Sequence, residues 1–337
     1  MRARIVLILC AAALGASAAR ADSPSGYDTR PEAREFAADL AQRRALDPGW
    51  VLAQLAAARL VPAAQRLMMP APPGQAKNWQ AYHDRFVEPR RILAGVEFWQ
   101  THADALTRAE TRYGVPPEVV VGILGVETFY GRIMGSFRVL DALATLAFDF
   151  PDGRSDRSPY FRSELEEFLV LARHEGFEPA SVQGSFAGAI GWPQFMPGSV
   201  NRFATDFDDD GHVDLVGSPE DAIGSVAQFL AEHGWQRGMP THYPVAPPAD
   251  AEARARLLAP DIVPSFSAAE FAAAGAWLPE EARGHRGPLA LVRVENGAAA
   301  PSHFAGTENF FALTRYNRSS YYALAVIHLG AAVRRSL

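Results

Sequence analysis

The chain has 337 residues, of which 48% are hydrophobic and 21% charged, a composition that excludes an intrinsically disordered protein. Its formal net charge is −6 and no lysine- or arginine-rich run occurs, which argues against nucleic-acid binding. The length allows two or three domains, with plenty of core.

Residues 1–21 are typical of a secretory signal peptide. Two arginines precede an apolar run at 5–14, and small residues lead to an Ala-x-Ala cleavage site at 19–21 or, alternatively, at 16–18. The apolar run is too short for a stable membrane span.

The single cysteine, Cys10, lies inside this apolar run. Leu9 precedes it, where a lipoprotein signal requires a small residue at the end of the run. We therefore expect an exported, periplasmic protein with no lipid anchor and no disulfide. Loss of residues 1–21 removes three arginines and no acid, which takes the net charge from −6 to −9.

The predicted elements that follow are mostly helical. Residues 22–113 predict an N-terminal helical region with a Pro-rich loop at 69–78, and its aromatic residues, Tyr82 among them, are interpreted as packing residues. Residues 114–239 predict the central helices, 240–313 a small mixed α/β segment, and 314–337 a C-terminal helix. The predicted fold class is therefore mainly α, with an α+β arrangement.

One predicted helix carries a candidate acid. Pro116 and Pro117 suit its first turn, Gly131 suits its end, and Glu127 lies on the apolar face of the helix. Burial raises the pKa of such a carboxyl group, so Glu127 could act as a general acid near neutral pH. Alternatively, Glu127 pairs with Arg132 or a distant arginine and only holds helices together.

Residues 183–199 combine glycines, aromatic residues and small polar groups. This composition suits a groove in which backbone and ligand come close, and sugars stack on aromatic faces. Signatures of nucleotide-binding loops, of G-x-S-x-G hydrolases and of zinc proteases are absent from the sequence. The histidines are scattered and are interpreted as surface or core residues.

The segment 206–217 has the spacing of the first half of an EF-hand calcium loop. Asp206, Asp208 and Asp210 occupy positions 1, 3 and 5, and a glycine follows at position 6. His212 would contribute its backbone carbonyl. The alternative interpretation is an Asp-rich turn without a metal.

The expected glutamate at position 12 of this loop is replaced by Gly217. Asp221 or Glu220, at the start of the next helix, could close the site. Alternatively, Asp221 belongs to a capping box that begins at Ser218.

Together, these segments resemble the membrane-bound lytic murein transglycosylase B family, whose members cleave bacterial peptidoglycan. The resemblance covers about residues 30–335, and its motifs occur in the family's order. They lie at Val115–Thr128 with Gly131 and Arg132, Asp141–Leu146, Tyr160–Leu165, Gly184–Ala189, Gln194–Pro197, Asp206–His212, Asp221–Ser225 and Thr314–Asn317.

The resemblance implies a lysozyme-like catalytic core with an embedded EF-hand-like calcium loop and no organic cofactor. It implies that Glu127 is the single acid/base for cleavage between N-acetylmuramic acid (MurNAc) and N-acetylglucosamine (GlcNAc), giving 1,6-anhydro ends. It places calcium at Asp206, Asp208, Asp210, His212 and Asp221, with peptidoglycan as the partner and proteins of cell-wall synthesis or division left open. The implied sugar-binding residues are Tyr160, Ser185, Trp192, Gln194, Tyr316, Asn317 and Tyr322.

Two alternatives remain from the sequence. A hydrolytic muramidase would need a second carboxylate in the groove, for which Asp141, Asp149 and Asp152 are the candidates. A non-catalytic, calcium-stabilised glycan-binding scaffold would not need Glu127.

Overall fold

The computed structural model describes residues 26–70 and 77–337. The predicted signal peptide with Cys10, and residues 71–76 of the Pro-rich loop, lie outside the described residues. Helices dominate the described chain and its strands are short, so the predicted mainly α fold class is confirmed.

Helices α1 to α6 occupy the predicted N-terminal region, but they pack in two groups. The first helical group, α1 to α3 with the turn that precedes it, lies on the helices Val139–Phe148 and Ser158–Glu175. There Tyr27 donates a hydrogen bond to Asp149, and Arg43 pairs with Glu166. The second group, from α4 onward, packs around the helices Pro117–Thr128, Pro219–Glu232 and Ser320–Arg334. In order, the six helices span Pro31–Arg44, Pro48–Ala57, Pro62–Met68, Trp79–Phe86, Pro89–Thr101 and Ala103–Tyr113.

The central region contains α7 to α11 and a two-stranded antiparallel sheet formed by β1 and β2. A proline occupies the first or second position of α7, α9, α10 and α11, where a missing N–H costs nothing. The helices span Pro117–Thr128, Val139–Phe148, Ser158–Glu175, Pro197–Phe203 and Pro219–Glu232, and the strands span Phe137–Arg138 and Gln183–Gly184.

Helix α7 is the central helix of the fold. It is apolar on most of its circumference and is packed by α5, α6, α11 and the C-terminal helix Ser320–Arg334, as expected for a helix buried in a core. It ends at Thr128, three residues before the predicted stop at Gly131, because Phe129 and Tyr130 already adopt left-handed conformations with φ of 52° and 55°.

The small mixed segment forms a three-stranded antiparallel sheet in the order β3-β5-β4, with a separate apolar cluster around Phe271 and Leu291. Its strands are β3 (His242–Pro244), β4 (Ala290–Asn296) and β5 (Ala299–Gly306). Its helices are α12 (Ala251–Leu258), α13 (Ala268–Ala273) and α14 (Glu280–Arg283).

The chain then returns to the core through α15 (Glu308–Tyr316) and α16 (Ser320–Arg334). Helix α16 runs antiparallel to α7 at very short range. A methyl group on Gly122 would collide with the carbonyl of Val326, and one on Gly330 with that of Glu118. This register brings the beginning of α16 to the end of α7.

None of the helices in the described ranges has both the length and the apolar character needed to cross a membrane.

Candidate active site

Glu127 and Tyr322 meet where the end of α7 faces the beginning of α16. The hydroxyl of Tyr322 donates a 2.6 Å hydrogen bond to Oε1 of Glu127, and Tyr322 is only 2% exposed. Burial raises the pKa of Glu127 from its ordinary value of 4.5 to about 7, against the opposing effect of the Tyr322 hydrogen bond. A half-buried carboxyl group of this kind can both donate and accept a proton near neutral pH.

Two further tyrosines surround this acid. The ring of Tyr316 stacks on that of Tyr322 with centroids 6.2 Å apart. Burial raises the pKa of Tyr82 and of Tyr316, and the negative charge of Glu127 raises both further. Glu127 is therefore surrounded by Tyr82, Tyr316 and Tyr322, and we call this site the tyrosine pocket.

Tyr82 is the site residue that the sequence interpretation assigned to packing. It does pack, since its ring lies 5.1 Å from that of Phe86 and 5.9 Å from that of Tyr321. Its proximity to Glu127 arises from the tertiary packing of α4 against α16, and no local sequence signal reports that contact.

Two of the three candidate second carboxylates, Asp141 and Asp149, are engaged in contacts with the first helical group. Asp141 accepts a hydrogen bond from the backbone N–H of Arg59 and pairs with Arg138. Asp149 accepts hydrogen bonds from Tyr27 and Arg30. The third candidate, Asp152, is exposed in the loop before α9.

Ser185 and Gln194 shape the Gly-rich loop between α9 and α10. The Ser185 hydroxyl accepts hydrogen bonds from the backbone N–H groups of Ala187 and Ala189. Gln194 has a left-handed backbone with φ of 51°, and its amide donates to the carbonyls of Met134 and Gly191. A left-handed backbone is unfavourable for a non-glycine residue, and the surrounding contacts hold Gln194 in it. Residues held in this way are common at ligand sites.

The Trp192–Pro193 turn is held against the end of α7. Thr128, next to the acid, donates a hydrogen bond to the carbonyl of Trp192, and Tyr316 donates one to the carbonyl of Pro193. The indole N–H of Trp192 donates to the carbonyl of Val216, which lies near the end of the Asp-rich segment 206–217. Ser185, Trp192 and Gln194 thus belong to one loop that is tied to the Glu127 pocket through Thr128 and Tyr316.

Tyr160 and Asn317 occupy different surroundings. Tyr160 is 38% exposed on α9, and its hydroxyl is associated with Glu164 and not with the tyrosines around Glu127. Asn317 is exposed directly after Tyr316, at the end of α15.

The Asp-rich loop brings three carboxylates together. One oxygen of each of Asp206, Asp208 and Asp210 lies within 4.8 Å of the other two. Gly211 has φ of 92° and donates its N–H to Asp206, which tightens the turn as position 6 of an EF-hand loop requires. The donor set consists of oxygen atoms only and suits a hard divalent cation such as calcium.

The two candidates for closing this loop are used for other contacts. Both carboxylate oxygens of Asp221 accept backbone N–H groups, one from Phe207 and one from Asp214, at 2.7 Å each. Glu220 pairs with Arg108 at 2.6 Å. Asp221, which is 1% exposed, therefore joins the entry and exit of the loop. The carboxylate cluster consists of the half-buried Asp206 and the exposed Asp208 and Asp210.

Comparison with known proteins gives concordant matches. The family model "Transglycosylase SLT domain" matches residues 28–331. Membrane-bound lytic murein transglycosylase B of Escherichia coli strain K12 is 40% identical over 315 residues, covering 91% of this chain and 84% of that protein.

Two solved structures show the same fold. The Escherichia coli lytic transglycosylase Slt35 in complex with calcium is 39% identical, with a TM-score of 0.77 and coverage of 91% of this chain and 93% of that chain. Pseudomonas aeruginosa SltB3 in complex with NAG-NAM-pentapeptide is 30% identical, with a TM-score of 0.74 and coverage of 89% and 79% respectively. The chain belongs to the membrane-bound lytic murein transglycosylase B family of SLT-domain enzymes, and the lysozyme-like fold expected from its motifs is confirmed.

Proposed function

We propose that Glu127 is the single catalytic acid/base of this lytic murein transglycosylase. As the acid, it protonates the glycosidic oxygen between MurNAc and GlcNAc, so that the bond to the MurNAc C1 carbon breaks. The observation that carries this assignment is a carboxyl group at the end of α7 that accepts a 2.6 Å hydrogen bond from the Tyr322 hydroxyl, and burial raises its pKa to about 7. This pKa leaves a large fraction of Glu127 protonated at neutral pH.

In the second half of the reaction, the ionised Glu127 accepts the proton of the MurNAc C6 hydroxyl group. The C6 oxygen attacks C1 and closes a 1,6-anhydro ring, so no water is consumed. Glu127 returns to its protonated state. The positive charge that develops at C1 is stabilised by the N-acetyl group of the same sugar.

The contacts of Asp141 and Asp149 support this single-acid route over a hydrolytic one. A retaining or inverting glycosidase requires two carboxyl groups that flank the scissile bond. Among the described residues, the negative charge of Glu127 raises the pKa of Tyr82, Tyr316 and Tyr322. Asp141 and Asp149 are instead hydrogen-bonded to the first helical group.

We infer that the sugar-binding groove passes over the tyrosine pocket and the loop that carries Ser185, Trp192 and Gln194. The tyrosine rings and the indole offer stacking faces, and the loop offers polar groups close to backbone. Asn317 extends this surface beyond Tyr316. Tyr160 belongs to the same proposal at a more remote position on α9.

We propose a structural calcium site at the Asp-rich loop. Asp206, Asp208, Asp210 and the backbone carbonyl of His212 would supply oxygen ligands, and the calcium complex of Slt35 supports the choice of ion. Asp221 would support the site by fixing the N–H groups of Phe207 and Asp214. Because Trp192 is tied to Val216, an ordered loop would also steady the groove.

We propose that the protein acts in the periplasm, after export by residues 1–21, on the glycan strands of peptidoglycan. The signal-like N-terminus and the substrate's place in the cell wall support this location.

The test is Glu127→Gln compared with Glu118→Gln, a matched change on the same helix. Glu118 pairs with Arg334 and lies away from the pocket. We expect Glu127→Gln to keep the folded far-UV circular dichroism spectrum. Release of anhydro-muropeptides should fall about 10²–10⁴-fold, the contribution of general acid–base catalysis, since an amide cannot donate and retake a proton. Turnover retained in Glu127→Gln would overturn the assignment.

A further inference from the structure

The chain takes an unusual path directly after the proposed catalytic acid. Helix α7 ends at Thr128, and φ is then 52° at Phe129, 55° at Tyr130 and 75° at Gly131, so three successive residues have left-handed backbones. Two of the three are aromatic residues, for which this conformation is unfavourable. Such a path persists only where surrounding contacts hold it, and paths of this kind cluster at functional sites.

The hydroxyl group of Thr128 makes two of the contacts that hold this path. It accepts the N–H of Gly131 at 3.0 Å, and it donates to the carbonyl of Trp192 in the Gly-rich loop, also at 3.0 Å. The carbonyl of Leu124 lies farther away, at 3.4 Å, and is the weaker acceptor for the same proton. Thr128 is fully buried, so water cannot replace either contact.

The Trp192–Pro193 turn is bound at its second carbonyl as well. The hydroxyl of Tyr316 donates to the carbonyl of Pro193 at 2.5 Å. A methyl group on Gly131 would lie 2.5 Å from the Trp192 ring, so the left-handed segment and the indole are in direct contact. Two hydroxyl groups, one at the end of α7 and one at the end of α15, therefore fix two consecutive carbonyls of the turn.

We propose that Thr128 is a positioning residue that fixes the Gly-rich loop relative to Glu127. The backbone that carries the acid and the turn of the loop share one buried hydroxyl group, so neither part of the site shifts without the other. Tyr316 acts on the same turn through the neighbouring carbonyl, while its ring stacks on that of Tyr322. This inference rests on the proposed function, because it takes the sugars to be bound by the loop with the scissile bond at Glu127.

The geometry predicts an effect on the chemical step more than on affinity. Glu127 acts only when its carboxyl group lies within hydrogen-bond reach of the glycosidic oxygen, and a displacement of about 1 Å can reduce the rate about 10²-fold. A strand still binds to a loop that has shifted, but its scissile bond then lies away from Glu127. Loss of the Thr128 hydroxyl should therefore lower kcat more than it raises KM.

The experiment compares Thr128→Val, which removes the hydroxyl and keeps the shape, with Thr128→Ser, which keeps the hydroxyl. The matched control is Thr145→Val on α8. Thr145 is also fully buried, and its hydroxyl accepts the N–H of Val61 at 2.9 Å and lies 3.4 Å from the carbonyl of Arg59, on the side of the first helical group. For each protein, Tm is measured first. Release of anhydro products from purified glycan strands then gives kcat and KM at a temperature well below the lowest Tm.

We expect Thr128→Val to lower kcat about tenfold, as for the loss of one buried hydrogen bond, and to change KM less than about threefold. Thr128→Ser should recover most of the kcat. Thr145→Val should lower Tm by a similar amount and keep the wild-type kcat. A wild-type kcat in Thr128→Val, no recovery in Thr128→Ser, or an equal loss of kcat in Thr145→Val would each overturn the proposal.

Tyr316→Phe tests the same turn from its other carbonyl and serves if Thr128→Val does not fold. It should also lower kcat, and a wild-type kcat in this variant would contradict the positioning of the loop through the turn. In the double variant with Thr128→Val, the two losses should not multiply, because both hydroxyls hold one turn. Losses that multiply would show two separate effects and would contradict the shared turn.

A spectroscopic measurement in the Glu127→Gln background separates this proposal from the catalytic assignment. The indole N–H signal of Trp192 in a nitrogen-15 NMR spectrum, identified by its loss in Trp192→Phe, reports the position of the loop without any turnover. We expect Thr128→Val to shift this signal and Thr145→Val to leave it in place. A shifted signal supports the link even if Glu127→Gln stays active, an outcome that would overturn the catalytic assignment alone. An unshifted signal would overturn the positioning role of Thr128 and leave the catalytic assignment untouched.

Discussion

At the scale of the residue, the raised pKa of Glu127 links the proposed chemistry to stability. The folded state holds the Glu127 proton up to about pH 7, whereas the unfolded chain releases it near 4.5. The folded state therefore binds more protons between these values, and the free energy of unfolding falls as the pH rises through this window. Below pH 4.5 both states are protonated and the effect vanishes.

We predict that Glu127→Gln gains stability relative to the wild-type protein as the pH rises from 4.5 to 7. The gain should level off above pH 7 at about 1–3 kcal/mol, because the neutral amide avoids the cost of a buried charge. Urea unfolding of both proteins at pH 4, 6 and 8 measures it. A stability difference that stays constant over this range would contradict the raised pKa.

Tyr322→Phe tests the hydrogen bond to Glu127. The hydroxyl favours the ionised carboxylate, so its loss should raise the pKa of Glu127 further and move the alkaline limb of the pH–kcat/KM profile to higher pH. The maximum rate should fall about tenfold, because the carboxyl group loses the contact that orients it. The control is Tyr113→Phe, which removes a hydroxyl bonded to Gln228. A profile with an unmoved alkaline limb would exclude this role for Tyr322.

At the scale of the element, the pocket depends on how closely α7 and α16 approach. Gly122→Ala would place a methyl group against the carbonyl of Val326, so the helices must separate. We predict a loss of about 1–3 kcal/mol in the free energy of unfolding, together with lower turnover as Tyr322 moves from Glu127. Gly284→Ala is the control, since a methyl group there would make only ordinary contacts, with the carbonyl of Glu281 at 3.7 Å. A neutral Gly122→Ala would refute the close contact.

The Asp-rich loop gives a second prediction at this scale. Calcium at 100 times its dissociation constant should stabilise the protein by about 2.7 kcal/mol, seen as a higher Tm. Asp208→Asn should weaken that shift, while Asp209→Asn should keep it, since Asp209 lies outside the three-carboxylate group and asparagine tolerates its left-handed backbone. Equal shifts in both variants would count against the assigned ligands.

Local sequence patterns predict the helices well where capping residues and a regular spacing of apolar residues are present. The start of α7 at Pro117 and the apolar face that carries Glu127 follow from residue spacing alone. The neighbours of Glu127 cannot be predicted from this spacing. Tyr82 lies 45 residues before Glu127 and Tyr322 lies 195 residues after it, so they meet it only through helix packing. Likewise, spacing places Asp221 near the loop, but the two N–H groups that occupy its oxygens are a tertiary feature.

At the scale of the whole molecule, the pocket is assembled from distant parts of the chain. Helix α4 supplies Tyr82, α7 supplies Glu127, and α15 and α16 supply Tyr316 and Tyr322. The loop before α10 is tied to this pocket through the carbonyls of Trp192 and Pro193. The small mixed segment lies between α11 and α15 in sequence and has its own apolar cluster, so the chain leaves the core and returns to complete the site.

We propose that cleavage proceeds without water, with Glu127 as the only acid/base. The most direct measurement is mass spectrometry of the products released by the mature protein from purified peptidoglycan in water enriched in oxygen-18. We predict muropeptides lighter by one water, ending in 1,6-anhydro-MurNAc and carrying no heavy oxygen. Reducing-end products that contain oxygen-18 would contradict the account and would require a second carboxylate in the groove.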